Sequence, residues 1–149
     1  MSRPYYIAHR GNLTGPNRSL ENTPDYIDKA LQEGFDVEVD IWILPDDTVF
    51  LGHDEPEHKI YISFLEERKE RLWCHAKNLR AMEVLSLSGF NTFYHDVENY
   101  VFTSKGFIWS NINRRQTQNT ICVMTKENPK GCVGYCSDFI KGIKDSHHN

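Results

Sequence analysis

Hydrophobic and polar positions alternate most regularly over residues 35–42, where Phe35, Val37, Val39 and Ile41 fall on one side of an extended chain and Asp36, Glu38 and Asp40 on the other. A period of two predicts a strand. Tyr5 to His9 reads as a short buried strand, and the polar, Gly- and Pro-punctuated stretch from Gly11 to Asn22 is a loop long enough to carry function. Thr23-Pro24-Asp25 predicts a helix start, since Thr caps, Pro suits the first turn and Asp suits the positive end of the dipole; Gly34 supplies the stop. Asp46-Asp47 makes a turn into a second extended run, Thr48 to His53, which ends on a histidine. Phe64 to Arg71 is helical in character, Leu72 to Ala76 strand-like, and Leu79 to Ser88 carries a helical pattern closed by Gly89. Thr92 to His95, Phe107 to Ser110, Ile121 to Met124 and Val133 to Cys136 are further short strands, with little room for helices between them. This order predicts an α/β protein with a largely parallel sheet.

Composition narrows the partners. The chain has 149 residues, with 17 Lys+Arg against 21 Asp+Glu and a formal net charge of -4, and no segment gathers the basic patch that nucleic-acid backbones require. Apolar runs such as Tyr5 to Ala8 and Ile41 to Leu44 fall far short of the ~20 residues that cross a bilayer. The start Met1-Ser2-Arg3-Pro4 leads into a strand rather than a secretory h-region, so the expectation is a cytoplasmic protein. Without a linker or an internal repeat, one domain is expected over 1–144, with 145–149 a flexible tail. Cys74, Cys122, Cys132 and Cys136 contain no C-x-x-C pair and read as buried thiols.

Glu38 and Asp40, two apart on one strand, project to the same side of the sheet. Like charges that close raise each other's pKa and call for a cation, and paired hard oxygen ligands suit Mg²⁺, Ca²⁺ or Mn²⁺ better than zinc. His9 ends the first strand with Arg10 beside it, and His53 ends the third, at the sheet edge where α/β proteins bind ligands. Imidazoles there serve proton transfer and the arginine fork serves phosphate.

His9-Arg10-Gly11, then Glu21-Asn22-Thr23 with Ala30 and Gly34 downstream, then Glu38-x-Asp40 and His53-Asp54, resembles the glycerophosphodiester phosphodiesterase family of the phospholipase-C-like phosphodiesterases over the first half of the chain. The resemblance implies a TIM-barrel-type fold, a divalent metal on Glu38 and Asp40, and His9 and His53 as the general acid/base pair. It further implies that Arg10 holds the phosphate of a small phosphodiester substrate and that Glu21 supports the site.

The second half departs from the family. Where a Glu-x-Lys strand supplies a third carboxylate, this chain has His75-Ala76-Lys77. Lys77 keeps the phosphate-facing role, and His75 becomes the third ligand, drawing a site suited to Mg²⁺ or Ca²⁺ towards Mn²⁺. Trp109-Ser110-Asn111 resembles the family's late Trp-Thr-x-Asn strand, with Trp109 fitting a core aromatic and a substrate-stacking ring equally, and Ser137-Asp138 resembles its closing Thr-Asp. His95-Asp96-Val97-Glu98 reads as an ordinary polar strand-to-loop transition. Eight β/α units need ~200 residues or more, so the expectation is a shortened TIM-barrel-like (β/α) barrel whose strand edges favour a homo-oligomer. Two functions follow: a metal-dependent phosphodiester hydrolase, or a non-catalytic metal- and phosphate-binding module of the same fold.

Overall fold

The strand of strongest alternation lies in the middle of a ten-stranded sheet in the computed structural model, which describes residues 4–111, 117–123 and 131–147. That strand is β2 (Asp36–Ile43), preceded by β1 (Tyr5–His9) and α1 (Pro24–Gln32). After it come β3 (Val49–Leu51), β4 (His58–Ile60), α2 (Ile62–Glu66), β5 (Leu72–Ala76), α3 (Leu79–Leu87), β6 (Thr92–Phe93), β7 (Tyr100–Phe102), β8 (Ile108–Asn111), β9 (Thr120–Val123), β10 (Gly134–Ser137) and α4 (Ile140–Ser146). A parallel ladder runs β6-β5-β2-β1-β10-β9-β8, and β3, β4 and β7 are antiparallel additions. No ladder joins β6 to β8 among the described residues, so the sheet is open. It is strongly curled all the same, because the Trp109 ring of β8 packs 4.7 Å from Phe93 of β6 and 5.9 Å from Trp73 of β5.

Curling gives the sheet two apolar faces. Outside, Val37, Val39 and Ile41 of β2 share one core with Ile27, Ala30 and Leu31 of α1, Ala81 and Leu85 of α3, and Ile140 and Ile143 of α4. Inside, Ile7, Trp73, Phe93, Trp109, Ile121 and Cys136 form a second core. The carboxylates of β2 therefore do not face water: Glu38 is 2% exposed and Asp40 1%. Alternation on this strand separates two buried environments, not core from solvent.

Most predicted elements stand where the pattern put them. Thr23 caps α1 by accepting from the Tyr26 amide, and Asn78 caps α3 by accepting from that of Ala81. The helix expected over Phe64 to Arg71 is instead α2, one turn earlier, followed by a 3-10 turn at Lys69–Arg71. It breaks at Arg68, whose backbone leaves helical angles while its guanidinium forks onto Asp28 of α1 at 2.6 and 3.0 Å. The strand expected over Thr92 to His95 stops at Phe93, and β9 is described only to Val123, so Met124 lies outside the described residues. β4, β7 and α4 have no counterpart in the sequence reading. α4 carries order past residue 144, where the domain was expected to end: Ser146 donates to the Ile143 carbonyl and His147 hydrogen-bonds the Tyr6 hydroxyl. No helix among the described residues is long and apolar enough to cross a membrane.

Candidate active site

The register of β2 creates a notch. β1 pairs with it only as far as His9 against Glu38, and β3 takes over the same edge from Ile41 onward. Between them the Arg10 amide donates to the Glu38 carbonyl at 2.9 Å and the Gly52 amide to the Asp40 carbonyl at 3.1 Å. The chain leaving β1 and the chain leaving β3 therefore meet over the two carboxylates. Arg10 turns the corner with φ 55, an unfavourable angle for a side-chain-bearing residue, and Gly11 follows with φ 89, where a Cβ would lie 2.8 Å from the Tyr26 ring. Gly52 admits the other segment, since a Cβ there would lie 2.0 Å from the Glu55 carbonyl oxygen.

A cavity of about 250 Å³ opens at this end of the strands. His9, Arg10, Glu38, Asp40, His53, His75 and Trp109, seven of the residues singled out in the sequence, line it. Glu21 stands behind the wall, accepting from Arg10 Nη1 at 3.2 Å and from the Asn17 amide at 2.8 Å. Lys77 is not part of the lining; its amide donates to the Ile41 carbonyl where β5 ends. The opposite wall corrects the plain reading of 95–98: His95 and Glu98, with Asn99, Ser110 and Asn111, face into the cavity.

At the floor, Glu38, Asp40 and His75 bring one ligand atom each within 4.8 Å of one another. His75 Nδ1 lies 3.0 Å from Asp40 Oδ1 and 3.8 Å from Glu38 Oε2, its ring stacked on Phe93 at 5.0 Å. Glu38 Oε1 and Asp40 Oδ1 are buried without a hydrogen bond. Buried carboxylate oxygens left in that state are destabilising unless a cation takes them, so two carboxylates and an imidazole fit a divalent ion. Burial, then the charge of Asp40, pushes the Glu38 carboxyl up to about 7. Burial would raise Asp40 too, but the His53 and His75 imidazoles and the Asn22 amide hold it well below the usual carboxylate range.

The two catalytic candidates differ in what holds them. His9 Nδ1 lies 2.7 Å from Asp138 Oδ1; a carboxylate only accepts, so Nδ1 donates and Nε2 is left facing Glu38 Oε1, 3.9 Å away. Asp138 is itself fixed by the Asn12 amide at 2.9 Å, and Asn12 by the Tyr26 hydroxyl at 3.0 Å. Burial opposes a charge on His9, yet the Asp138 bond and the Glu38 charge outweigh it and raise its pKa. His53 Nδ1 lies 2.8 Å from Arg10 Nη2; a guanidinium only donates, so Nδ1 accepts and Nε2 carries the proton. With its side chain 40% exposed, His53 is the more open of the two.

Three supporting residues escaped the sequence reading of roles. Asn22 clamps Asp40 with both ends of its amide, Nδ2 donating to Oδ2 at 2.9 Å and Oδ1 accepting from the backbone amide at 3.0 Å. Asn12 and Asp138 form the bracket behind His9. The signal for Asn22 was present: it sits at φ 61, and Asn is among the few non-glycine residues that tolerate the left-handed region. No protein-family model matches this chain, and no curated protein matches it.

Proposed function

We propose that the protein is a metal-dependent phosphodiester hydrolase acting on glycerophosphodiester-like substrates, built on a shortened (β/α) barrel. One observation carries this reading: two imidazoles flank the buried carboxylates in opposite hydrogen-bonding states, His9 with its inner nitrogen donating to Asp138 and His53 with its inner nitrogen accepting from Arg10. Neutral His9 thus offers a lone pair at Nε2 and takes the proton of the attacking hydroxyl or water. His53 offers a proton at Nε2 and gives it to the leaving alkoxide. Arg10, held by Glu21, sets a fixed positive charge beside the phosphate, and the second strand of the notch keeps His53 within reach of it. A divalent ion held by Glu38, Asp40 and His75 supplies Lewis-acid polarisation of the phosphoryl oxygens.

Phosphorus NMR of glycerophosphodiesters with Mg²⁺, Mn²⁺, Ca²⁺ or EDTA tests this. Turnover is expected to need the ion, and His9→Ala and His53→Ala each to lose about 10²-fold or more with the fold retained. Rates like the wild type in either variant remove the acid/base assignment. In parallel, the ion is expected to raise Tm in the wild type and not in Glu38→Gln, since a ligand at 100 times its Kd stabilises by about 2.7 kcal/mol. Stabilisation by the ion without turnover of any substrate leaves the non-catalytic binding module in place of the enzyme.

A further inference from the structure

Away from this site, two of the four thiols meet. Cys122 lies on β9 on the face packed by Tyr135 of β10, its register partner, and is fully buried. Cys132 belongs to the segment entering β10. There the Val133 amide donates to the Thr120 carbonyl at 2.9 Å, which draws this part of the chain against the start of β9. Cys132 packs against the core that contains Cys122 and Tyr135, and its side chain hydrogen-bonds both. It is partly exposed, so solutes reach it while Cys122 stays covered. Cys74 and Cys136 are fully buried, one in the outer core and one in the inner.

From this juxtaposition we infer that Cys122 and Cys132 are a disulfide-forming pair, oxidised by hydroperoxides through Cys132. Thiols already in side-chain contact need only a small adjustment to reach disulfide geometry, and the nine residues between them leave the chain room to make it. The Cys132 sulfur, as thiolate, attacks one peroxide oxygen. The O–O bond breaks, the other oxygen leaves as water or an alcohol, and Cys132 becomes a sulfenic acid. The Cys122 sulfur then attacks the Cys132 sulfur, the S–O bond breaks, and the departing hydroxide leaves as water with the Cys122 proton. Two thiols lose two electrons in all, and the peroxide gains them. Asymmetry between the partners suits these roles: the Cys122 contact draws the Cys132 thiol down to about 7, whereas that same contact and burial push the Cys122 thiol up. Burial also pushes up Cys74 and Cys136, which makes them internal controls. The cross-link ties β9, whose Val123 lines the cavity, to the segment that enters β10.

The full chain is treated near neutral pH with a small molar excess of hydrogen peroxide, denatured in an alkylating agent, digested without reductant and analysed by mass spectrometry. A 122–132 linked peptide lacking two hydrogen atoms is expected, with Cys74 and Cys136 alkylated. Without peroxide, Cys132 is expected to alkylate about ten-fold faster than Cys122 in the folded protein. Cys122→Ser is expected to leave Cys132 trappable as sulfenic acid by a 1,3-diketone, and Cys132→Ser to abolish the link. Cys132 carried to sulfinic acid in the wild type without a link, or a link formed instead through Cys74 or Cys136, overturns the pairing. Should Cys122→Ser fail to fold, the order of reactivity and the linked peptide in the wild type decide alone.

Discussion

Asp138 governs how His9 titrates. Its carboxylate, held low by His9 and Asn12 against burial, gives the imidazolium a partner that the unfolded chain lacks. A His pKa raised in the folded state means that the fold binds the proton more tightly than the unfolded chain. This contribution is fully present below about 6.5, the unperturbed value, and is lost as pH rises through the raised folded value. Asp138→Asn is expected to lower the His9 pKa, read from its imidazole proton NMR shift, because burial persists and the charge that opposed it is gone. The variant should lose about 1.5–3 kcal/mol at pH 5.5, the range for a hydrogen bond to a charged group, and less at pH 8.5. Denaturant midpoints at the two pH values check it, and an equal loss at both contradicts the charge pairing. The same reasoning applies to Asn22, whose amide satisfies an Asp40 oxygen that is 1% exposed with its residue. Asn22→Leu strips that partner from a buried carboxylate and is expected to cost about 3 kcal/mol, visible as a fall in Tm that added divalent ion only partly restores.

At the scale of elements, the position of His53 depends on a tight passage after β3 more than on the strand itself. Gly52 threads between the Asp40 carbonyl, which accepts from its amide, and the Glu55 carbonyl oxygen, 2.0 Å from where a Cβ would stand. Backbone cannot yield as a flexible side chain would. Gly52→Ala is therefore expected to displace the 52–57 segment, to lower turnover as far as His53→Ala does, and to leave β1, β2 and β5 folded. Near-wild-type activity in a folded Gly52→Ala protein would show that the segment relaxes without moving His53. What the sequence reveals follows this division between strands and passages. β1, β2 and β5 carry strong periodic or apolar signals, so Glu38, Asp40, His9 and His75 could be placed on strand faces and ends before any coordinates. β4 and β7 are three-residue antiparallel additions that exist because a neighbouring edge is available. Nothing local in His58–Ile60 or Tyr100–Phe102 announces a partner. The Asn12 and Asp138 bracket behind His9 joins residues 126 apart in the chain, a closure that no short-range pattern encodes.

For the whole molecule, the question is what holds an open sheet curled. A closed barrel fastens its first and last strands with backbone hydrogen bonds, whereas here β6 and β8 share no ladder among the described residues. The gap is spanned by other means: the Ser104 amide, just beyond β7, donates to the Thr92 carbonyl at 2.8 Å, and Trp109 stacks across to Phe93 and Trp73. Trp109 is 7% exposed and also lines the cavity, so a loss of activity alone could not separate a clamp from a substrate contact. Stability can. A clamp predicts that Trp109→Ala costs about 3–5 kcal/mol, the range for removing a large buried aromatic, while Trp109→Phe retains much of the ring packing and costs less. It further predicts that binding of a divalent ion weakens in Trp109→Ala, because His75 is stacked on Phe93 and shifts when Phe93 loses its support on the other side. Isothermal titration of Mn²⁺ into both variants, beside their denaturant midpoints, distinguishes the cases. A substrate-stacking role without clamping leaves Mn²⁺ affinity and midpoint near wild type in both and raises only KM.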